Sequence, residues 1–394
     1  MAEERTRVGI IGAGPAGLLL SHLLHRAGVE SVVLEARTRD HVEHRQRAGV
    51  VEHGVARILR AAGAGARMDR AGAVHHGIEL RFDGRSHRVD FAGLCGRDVV
   101  LYAQTEIVKD LIAHRLADGG DVRFAAAATA IEGIEGERPR IRYGTAAGEQ
   151  VLACDFVVAC DGFHGIGRPS IPAERVRHFE KSYPFGWLGI LADVPPSATE
   201  LIYARHERGF ALHSQRGPRV SRLYLQVGND DHVGNWPDDR IWAELAARFA
   251  LRDGGWELAT GPITDKAVTP MRSFVCEPMR HGRLLLAGDA AHIVPPTGAK
   301  GLNLAMHDAA LLAEALASWH ATGDHTLVDG YSDTALRRVW RAEHFSSWMT
   351  GLLHRDPNGS AFDRRVQSAH LEFIASSRSA SAQLAENYTG LPYV

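Results

Sequence analysis

Apolar positions follow two different periods along the first part of the chain. Residues 7–12 and 31–35 are short apolar runs of the length that predicts buried strands. Between them, residues 15–27 carry apolar side chains at helical spacing, which predicts an α-helix. The order strand, helix, strand is typical of a βαβ unit with parallel strands. A polar, charge-rich stretch over residues 36–47 follows this unit.

Similar elements recur farther along the chain. Helical patterns lie near residues 51–62 and 104–117, and the apolar run over residues 150–160 predicts a further strand. Another apolar run, residues 283–288, leads into a helical pattern over residues 299–317. We therefore expect one structural layer to be assembled from segments that are far apart in the sequence.

Two regions have a different character. Residues 183–227 alternate aromatic and polar positions and contain Gly and Pro interruptions, which predicts an antiparallel sheet. From about residue 331 onward the pattern is helical and rich in aromatic and basic side chains. Apolar helical stripes of this kind are more often internal core than interface, so they do not by themselves predict an oligomer.

Composition narrows the classes of partner. The chain has 394 residues, 45% hydrophobic and 23% charged, with a formal net charge of −2, which gives no electrostatic reason to expect nucleic acid or an anionic membrane. The apolar run over residues 8–24 is broken by glycines and lacks a cleavage site, so we do not interpret it as a signal peptide. Four cysteines without a CxxC pair favour a reducing, cytoplasmic setting. The 22 histidines show no metal-ligand spacing, and we predict no metal.

A glycine-rich turn carries the first chemical signal. The sequence GAGPAG over residues 12–17 follows the first predicted strand and opens the first predicted helix. Gly12 permits the tight turn, Gly14 lets backbone approach a pyrophosphate, and Gly17 allows close helix–strand packing. Glu35, about 20 residues on, ends the second strand where a carboxylate accepts hydrogen bonds from an adenosine ribose. The motif predicts a dinucleotide but does not separate FAD from NAD.

Two later motifs resemble the second and third fingerprints of the flavoprotein aromatic hydroxylase family. Asp161 follows one predicted strand within CDGFHG, and Asp289 follows another within LLLAGDAAH. By that resemblance the cofactor is FAD, Asp289 holds its ribitol, and Asp161 belongs to a motif shared by FAD and NAD(P)H. The resemblance also places the helix start at Leu302 and Asn303 against the flavin. Without the family, each Asp could equally be a turn or cap residue.

The resemblance implies the fold class and its division. We predict an α/β protein with a Rossmann-like FAD-binding domain, interleaved with an antiparallel-sheet substrate domain and followed by a helical C-terminal region. The FAD-binding domain would be discontinuous, formed by residues 1–74, 101–180 and 270–318. The substrate domain would be formed by residues 75–100 and 181–269, and the helical region by residues 319–394.

Three more segments resemble the family members that hydroxylate 4-hydroxybenzoate, so that the similarity runs from about residue 7 to 393. They are residues 182–189, 209–216 and 386–393. The resemblance implies that Ser214, Arg216 and Tyr224 bind the substrate carboxylate. The chemistry fits, because a guanidinium binds a carboxylate through two charge-assisted hydrogen bonds. Without the family, the same residues would form an ordinary half-exposed sheet face.

At the phenol end, the resemblance implies contacts from Tyr203 and from the backbone carbonyl of Pro296. Tyr203 would pass the phenolic proton to Tyr388 and on to His75. A free phenol has a pKa of about 10, so that only about 1% is ionised at pH 8. Ionising it therefore needs roughly 2.7 kcal/mol of selective stabilisation. Taken singly, these Tyr and His residues would be packing or surface residues.

The resemblance also implies the reaction. NAD(P)H would reduce FAD, and a flavin C4a-hydroperoxide formed with O₂ would hydroxylate the carbon ortho to the phenolate, giving 3,4-dihydroxybenzoate. Positions that match the family around the flavin are Arg47, Gln104, Trp187 and Arg222. Two alternatives remain: a hydroxylase of another phenolic acid, and an NAD(P)H flavoprotein reductase without oxygenase activity. We expect a homodimer, as in the family.

The coenzyme is left open between NADPH and NADH. In the family, the segment corresponding to residues 36–46 contacts the coenzyme 2′-phosphate. Here Ala36 replaces the basic residue of the NADPH pattern and His41 replaces its Tyr. The segment still contains Arg37, Arg39 and Arg45, whose charges favour a phosphate, and Asp40 and Glu43, whose charges oppose it. A solvated charged helix is the alternative interpretation.

Overall fold

The computed structural model of the protein describes residues 4–45 and 49–391. Helices lie mainly in the first third and the last quarter of the chain. In order they are α1 (Pro15–Arg26), α2 (Arg39–His44), α3 (His53–Ala61), α4 (Ala66–Ala71), α5 (Phe91–Cys95), α6 (Gln104–Ala117), α7 (Asp238–Phe249), α8 (Gly301–Thr322), α9 (Thr326–Asp329), α10 (Tyr331–Leu353), α11 (Ala361–Ser376) and α12 (Arg378–Thr389). None of these described helices is long and apolar enough to span a bilayer.

Strands occupy most of the region between these helices. In order they are β1 (Glu4–Arg5), β2 (Val8–Ile11), β3 (Ser31–Leu34), β4 (Val50–Glu52), β5 (Ala73–His75), β6 (Gly77–Phe82), β7 (Arg85–Asp90), β8 (Val99–Leu101), β9 (Asp121–Arg123), β10 (Ala127–Glu132), β11 (Arg140–Thr145), β12 (Gly148–Ala153), β13 (Phe156–Ala159), β14 (Arg177–Ala192), β15 (Leu201–His206), β16 (Gly209–Gly217), β17 (Val220–Val227), β18 (Ile263–Glu277), β19 (Arg280–His281), β20 (Leu284–Leu286) and β21 (His292–Ile293). They form a six-stranded and an eight-stranded sheet, with two smaller sheets beside them.

The six-stranded sheet has the order β19-β20-β13-β2-β3-β9 and is parallel except at β19. Its central strands are buried along their whole length, because almost every side chain is apolar on both faces, as a parallel sheet covered by helices requires. α1 packs against β2 and β3 and contacts α6 and α8. In such sheets ligands bind at the carboxyl ends of the strands.

The eight-stranded sheet has the order β21-β18-β14-β17-β16-β15-β6-β7. Its neighbours are antiparallel except β15 and β6. Successive side chains point to opposite faces. Leu188 belongs to the apolar cluster that includes α7, whereas its neighbour Trp187 belongs to the cluster that includes residues of α10, α11 and α12. The C-terminal helices thus cover one face of this sheet.

The mixed α/β architecture predicted from the sequence is confirmed. The helix predicted over residues 104–117 coincides with α6, and the antiparallel sheet predicted over residues 183–227 is formed by β14 to β17. The division into three named domains stays a prediction. β18 runs across the boundary proposed at residue 270, pairing with β14 on one side and β21 on the other.

Two predicted elements were wrong in detail. Residues 150–160 form two strands, β12 and β13, that belong to different sheets. Between the two strands Asp155 is buried, and its carboxylate accepts hydrogen bonds from Arg5 at 3.0 Å and Arg7 at 3.1 Å. The helix predicted over residues 51–62 starts only at His53, since the residues before it pair as β4 with β8.

Candidate active site

The carboxyl edge of the six-stranded sheet gathers the residues that the sequence assigned to a dinucleotide. Gly12 follows β2, Glu35 follows β3, Asp161 follows β13 and Asp289 follows β20, each within three residues of the strand end. Because these strands are parallel neighbours, their carboxyl ends lie side by side. The fold therefore brings four distant segments to one edge.

The turn between β2 and α1 requires glycine at two positions and leaves space at a third. Gly12 has a φ of +104°, and a Cβ there would lie 2.4 Å from the Cys160 carbonyl oxygen. A Cβ on Gly17 would lie 2.1 Å from the Gly12 carbonyl oxygen, so the helix packs on its own turn only without a side chain. Gly14 is extended, and a Cβ there would meet nothing within 4 Å. This open space is where phosphate groups can approach the backbone.

The start of α1 is built to face an anion. Within this described helix, no side chain caps the first turn and no acidic residue lies in it. The first N–H groups and the positive end of the helix dipole therefore remain available to an anion. Glu35 is held beside them, since its Oε2 accepts from the Ala13 N–H and its Oε1 from the Arg37 N–H, both at 2.8 Å. The remaining lone pairs of this oriented carboxylate can accept from ribose hydroxyls.

The two aspartates differ from each other. Asp161 turns back on its own loop, where its Oδ2 accepts from the Gly167 N–H at 2.8 Å, and burial raises its pKa. That is the behaviour of a turn residue, and a contact with FAD or NAD(P)H stays a prediction. Asp289 is exposed, directly after Gly288, whose position is close to Ala16 of α1 and Ala305 of α8. Its carboxylate is therefore available to a ligand at the ends of both helices.

The start of α8 offers backbone rather than side chains. The Asn303 amide donates to the carbonyls of Val50 and Ala299 at 2.9 Å, and its Oδ1 accepts from the Glu52 N–H at 2.9 Å. With its side chain fully used, a contact from Asn303 or the half-buried Leu302 would come from the first-turn N–H groups. The predicted contacts are compatible with this arrangement, and the helix dipole favours negative charge there.

A buried ion pair beside this helix start was missed by the sequence analysis. Lys300 donates to Glu52 at 2.6 Å and to the Tyr388 backbone carbonyl at 2.9 Å, and burial lowers the pKa of the lysine. A cavity of about 40 Å³ adjoins the pair. The only signal in the sequence was a charged residue inside an otherwise small and apolar run.

Of the two other predicted flavin contacts, Gln104 lies within the described residues. Gln104 begins α6, next to Tyr102, whose N–H donates to the Gly49 carbonyl at 2.9 Å. Thr105 donates to the Arg45 carbonyl at 3.1 Å. These bonds join Gly49 and Arg45 to the residues around the start of α6. Arg47 itself lies outside the described residues.

The predicted substrate residues share one face of the eight-stranded sheet. Tyr203 of β15 is opposite Leu212 of β16, which is opposite Tyr224 of β17, so that the three form a row across the strands. The next row pairs Ser214 with Arg222. Alternate residues of a strand point the same way, so both rows face the C-terminal helices. The register thus unites side chains from three strands.

The second row and its neighbour Arg216 give this face a positive end. Burial, and then the charge of Arg222, lowers the pKa of Arg216 to about 10. The Arg222 guanidinium lies 5.2 Å from the centre of the Tyr224 ring, and burial raises the pKa of that tyrosine. Ser214 donates to the Arg222 carbonyl at 3.1 Å. Two guanidiniums in partly buried surroundings favour binding of a carboxylate.

The other end of the face is a buried pair of tyrosines. The hydroxyls of Tyr203 and Tyr388 are 2.7 Å apart, and each side chain is 1% exposed. Tyr203 comes from β15 and Tyr388 from α12, 185 positions later. Burial raises the pKa of both hydroxyls above their usual range, so both are neutral near pH 7.

The third member of the predicted relay has a different described partner. The Nε2 of His75 lies 2.8 Å from the Gln215 side-chain nitrogen, and burial lowers the pKa of this imidazole to about 4. A relay from Tyr388 to His75 therefore stays a prediction. Pro296 is exposed in a short 3₁₀ turn, and its carbonyl accepts from the Ala299 N–H at 3.0 Å. Its predicted contact with a phenol also stays a prediction.

Comparison with known proteins identifies the family. The sequence profile of the family described as FAD binding domain matches residues 5–346. The chain belongs to this FAD-binding family. A p-hydroxybenzoate hydroxylase of Acinetobacter baylyi is 47% identical over 394 residues, which cover all of this chain and 97% of the relative.

More distant relatives of this FAD-binding family extend the comparison. A 3-amino-4-hydroxybenzoate 2-monooxygenase of Streptomyces platensis is 28% identical over 338 residues, covering 80% of this chain and 81% of the relative. The crystal structure of a p-nitrophenol 4-monooxygenase from Pseudomonas putida has a TM-score of 0.84 at 20% identity, covering 99% of this chain and all of that one. The latter likeness shows a shared fold.

The carboxyl edge fits the cofactor of the family. The open space at Gly14, the uncapped start of α1 and the doubly held Glu35 match an adenosine diphosphate group. The exposed Asp289 and the first N–H groups of α8 provide polar contacts farther along the same edge. These observations agree with the family match, and the chain is an FAD-binding protein.

Proposed function

We propose that the chain is an FAD-dependent monooxygenase that converts 4-hydroxybenzoate, NAD(P)H, O₂ and a proton into 3,4-dihydroxybenzoate, NAD(P)⁺ and water. One observation carries the proposal: one sheet face has Arg222 with Arg216 near it at one end, and Tyr203, hydrogen-bonded to Tyr388 of α12, at the other. Ser214 lies two residues along β16 from Leu212, the residue opposite Tyr203, which is a distance of roughly 7 Å. That separation suits a benzene ring with substituents at opposite positions. The full-length similarity to a p-hydroxybenzoate hydroxylase supports the same substrate.

The carboxylate end would bind and orient the ring. Arg216 is a partly desolvated cation next to a second cation, Arg222, so a carboxylate placed between them lowers the energy of both. The Tyr224 hydroxyl and the Ser214 hydroxyl complete the set of donors. These contacts would hold the ring against the sheet with its phenol directed towards Tyr203.

The phenol end would move a proton. Each tyrosine hydroxyl has one hydrogen to donate. Tyr203 can therefore accept the phenolic proton only as it donates its own hydrogen to Tyr388, across the 2.7 Å bond. Tyr388 would at the same time pass its own hydrogen on to His75, the third member of the predicted relay, so that the proton leaves the site. Because burial raises the pKa of both tyrosine hydroxyls, neither would rest as a phenolate. This concerted shift supplies the ionisation that makes the ortho carbon nucleophilic.

The cofactor end would supply the oxidant. When bound, FAD accepts a hydride from NAD(P)H and activates O₂ for the transfer of one oxygen atom to an electron-rich ring. The first-turn N–H groups of α8 would stabilise negative charge placed against them. The C-terminal helices that cover the sheet face would exclude water from the reacting groups.

Electrons would come from NADH or NADPH. In α2, Arg39 donates to Glu43 at 2.7 Å, so part of the positive charge there is already balanced. This helix therefore gives no strong basis for selecting a 2′-phosphate. A comparison of kcat/KM for the two coenzymes tests this, and a preference of a hundredfold or more for NADPH would contradict it.

The enzyme would work as a cytoplasmic homodimer. On α11, Phe362, Val366 and Phe373 are 75%, 52% and 54% exposed and follow helical spacing along one face. A second copy of the chain would cover this stripe. Four free cysteines suit a reducing compartment. Sedimentation of the wild-type protein and of a Phe362→Ser variant tests the dimer, and a monomeric wild type would reject it.

Stopped-flow reduction of the purified yellow protein is the decisive experiment. NADH and NADPH are mixed with the enzyme in the presence and absence of 4-hydroxybenzoate, and the aerobic products are separated by chromatography. We expect 4-hydroxybenzoate to accelerate flavin reduction strongly and 3,4-dihydroxybenzoate to accumulate. Reduction that ignores 4-hydroxybenzoate, or a product mixture that holds only peroxide, would reject this substrate and favour another phenolic acid or a simple reductase.

A further inference from the structure

A buried histidine at the end of α10 joins the substrate sheet to the C-terminal helices. His354 follows the last residue of α10 and is 3% exposed. Its Nδ1 lies 3.0 Å from the Thr350 backbone carbonyl oxygen, and its Nε2 lies 2.6 Å from the indole Nε1 of Trp187 on β14. This histidine was not among the predicted site residues.

The two hydrogen bonds fix the form of the imidazole. A backbone carbonyl can only accept, so Nδ1 carries the hydrogen. The indole N–H can only donate, so Nε2 has no hydrogen and accepts from it. Burial lowers the pKa of His354 to about 3, which agrees with the neutral ring that this geometry demands. The histidine is therefore a fixed connector between helix and sheet.

His354 is also held from outside its ring. The Arg355 N–H donates to the Gln226 Oε1 at 3.0 Å, and the Gln226 amide donates to the Arg355 carbonyl at 2.6 Å, which joins the next residue to β17. The amide of Gln367 donates to the His354 carbonyl at 2.8 Å. Each side of the residue is thus bonded to a different element, and its position is well determined.

On the sheet side, two aromatic neighbours of His354 contact the substrate residues: Trp187, and Phe210, whose ring lies 4.4 Å from the imidazole. The Trp187 ring lies 4.7 Å from the Tyr224 ring, which belongs to the carboxylate end. Trp187 also stacks on Phe210 at 5.3 Å, and Phe210 lies 6.1 Å from Tyr203 at the phenol end. The indole therefore packs behind both ends of the proposed substrate site.

On the helix side, the same residue is linked to the turn that contains Pro296. The Thr350 hydroxyl donates to the Ser346 carbonyl at 2.7 Å and lies 3.0 Å from the Thr297 hydroxyl, from which it can accept. The Thr350 carbonyl accepts from His354. A Cβ on Gly298 would lie 2.5 Å from the Ser346 hydroxyl oxygen, so the turn is packed tightly on α10. Sheet wall and turn are thus connected by a short chain of hydrogen bonds.

We propose that His354 is a positioning residue that holds Trp187 and thereby sets the placement of the substrate ring between the sheet wall and the Pro296 turn. The proposal rests on the function proposed above. Loss of the hydrogen bond between His354 and Trp187 would let the indole rotate. The substrate ring, which is positioned by residues that pack on the indole, would then be less well aligned with the oxidant. We expect a higher KM and a larger share of NAD(P)H oxidised without product, with FAD binding unchanged.

Two substitutions at His354 separate the bonds. Asn can place an amide where Nδ1 lies and keep the bond to Thr350, but it is too short to reach the indole. Gln can extend its amide oxygen to the place of Nε2 and accept from Trp187. We expect His354→Asn to lower kcat/KM and the coupling of oxidation to hydroxylation by roughly tenfold, as loss of one buried hydrogen bond predicts. His354→Gln should recover most of both.

A spectroscopic readout follows the bond without any turnover. In the ¹⁵N-labelled holoenzyme, the Trp187 indole N–H signal is assigned by its absence in Trp187→Phe. We expect a strongly downfield signal in the wild type, an upfield shift in His354→Asn and a return in His354→Gln. Trp256→Phe is the matched control, because Trp256 also donates from its indole, to the Ser197 carbonyl at 3.0 Å, but on the opposite face of the sheet.

The outcomes are distinguishable. An indole signal and a coupling ratio that do not change in His354→Asn would overturn the proposal. If that variant fails to fold, Trp187→Phe has to raise KM or uncouple the reaction while Trp256→Phe does neither; equal behaviour of the two also overturns it. A wild-type enzyme that leaves 4-hydroxybenzoate unchanged would reject the proposed function alone, since the indole signal needs no substrate.

Discussion

The two ends of the proposed site are built in different ways. At the dinucleotide end, the decisive groups are backbone: an open space at Gly14, an uncapped helix start and strand ends that lie side by side. At the substrate end, they are side chains that meet from remote parts of the chain, such as Tyr203 and Tyr388. The first end depends on the absence of side chains, and the second depends on the presence of particular ones.

This difference explains how much could be predicted from the sequence. Glycines at fixed spacing after an apolar strand have few structural solutions, so Gly12, Gly14 and Gly17 indicated the turn without any relative. A tyrosine on a strand has many possible neighbours. Only the family resemblance predicted that Tyr203 and Tyr388 are partners. In the structure, the packing of α12 on the sheet places their hydroxyls 2.7 Å apart.

Some features of the site were predicted neither by local sequence patterns nor by the family resemblance. The Lys300–Glu52 pair depends on where α8 begins against other elements and His354 on where α10 ends, which no local pattern encodes. The helix start at Asn303 was expected against the flavin, but no pattern indicated that the Asn303 side chain would bond to the backbone of β4 and to the Ala299 carbonyl before α8. Tertiary packing decides such details.

The largest effect on activity is expected at the dinucleotide end, where a variant would lose the cofactor altogether. Gly17→Ala would place a Cβ 2.1 Å from the Gly12 carbonyl oxygen, so we expect loss of about 1–3 kcal/mol of folding free energy and a protein purified without FAD. Gly14→Ala, in extended backbone with free space, should leave the Tm of the apoprotein equal or slightly higher. Its FAD affinity should still fall about 10–100-fold, because the added methyl group would occupy the space in which a phosphate approaches the backbone N–H groups and would weaken a charge-assisted hydrogen bond.

Differential scanning fluorimetry of the apoproteins and titration with FAD measure both effects. If Gly14→Ala binds FAD as tightly as the wild type, the phosphates do not approach at Gly14 and this end of the site is misassigned.

The next effect is at the carboxylate end. Arg216→Ala should weaken 4-hydroxybenzoate binding by about 2–5 kcal/mol, because a buried carboxylate would lose its charged partner. FAD affinity should not change. Arg219→Ala is the matched control, since Arg219 lies on the same hairpin but is exposed. Substrate titrations followed by flavin absorbance give the Kd values; equal Kd values for the two variants would remove Arg216 from the site.

A smaller effect is expected at the phenol end. Tyr203→Phe removes the hydroxyl bonded to Tyr388 and should lower kcat by about 100-fold, the scale of proton-transfer catalysis, with little change in Kd. Tyr143→Phe serves as control, because that buried hydroxyl accepts from Arg123 at 2.6 Å in another sheet. Single-turnover product formation is the measurement. Unaltered coupled turnover in Tyr203→Phe would argue against the proton shift.

The smallest expected effect is a loss of folding stability at low pH. Burial lowers the pKa of His75 and His213 to about 4, below the usual 6.5, so the unfolded chain binds more protons between these values. Their contribution to stability is present above pH 6.5 and is lost as the pH falls towards 4, by at most about 1.4 kcal/mol per pH unit for each group. Urea unfolding at pH 7.5 and 5.5 measures the loss. His213→Gln should reduce it, and an unchanged pH dependence would show that His213 is not a source.

The order of elements along the chain has a consequence for biosynthesis. The strands and helices of the dinucleotide end are complete once α8 has been made, whereas α12, which carries Tyr388, is the last described element to leave the ribosome. Domains generally fold as their segments emerge. A nascent chain would therefore be able to capture FAD while its aromatic site is still open. The oxidant-forming half would exist before the half that restricts what is oxidised, and α12 would be the element that makes the newly made enzyme selective.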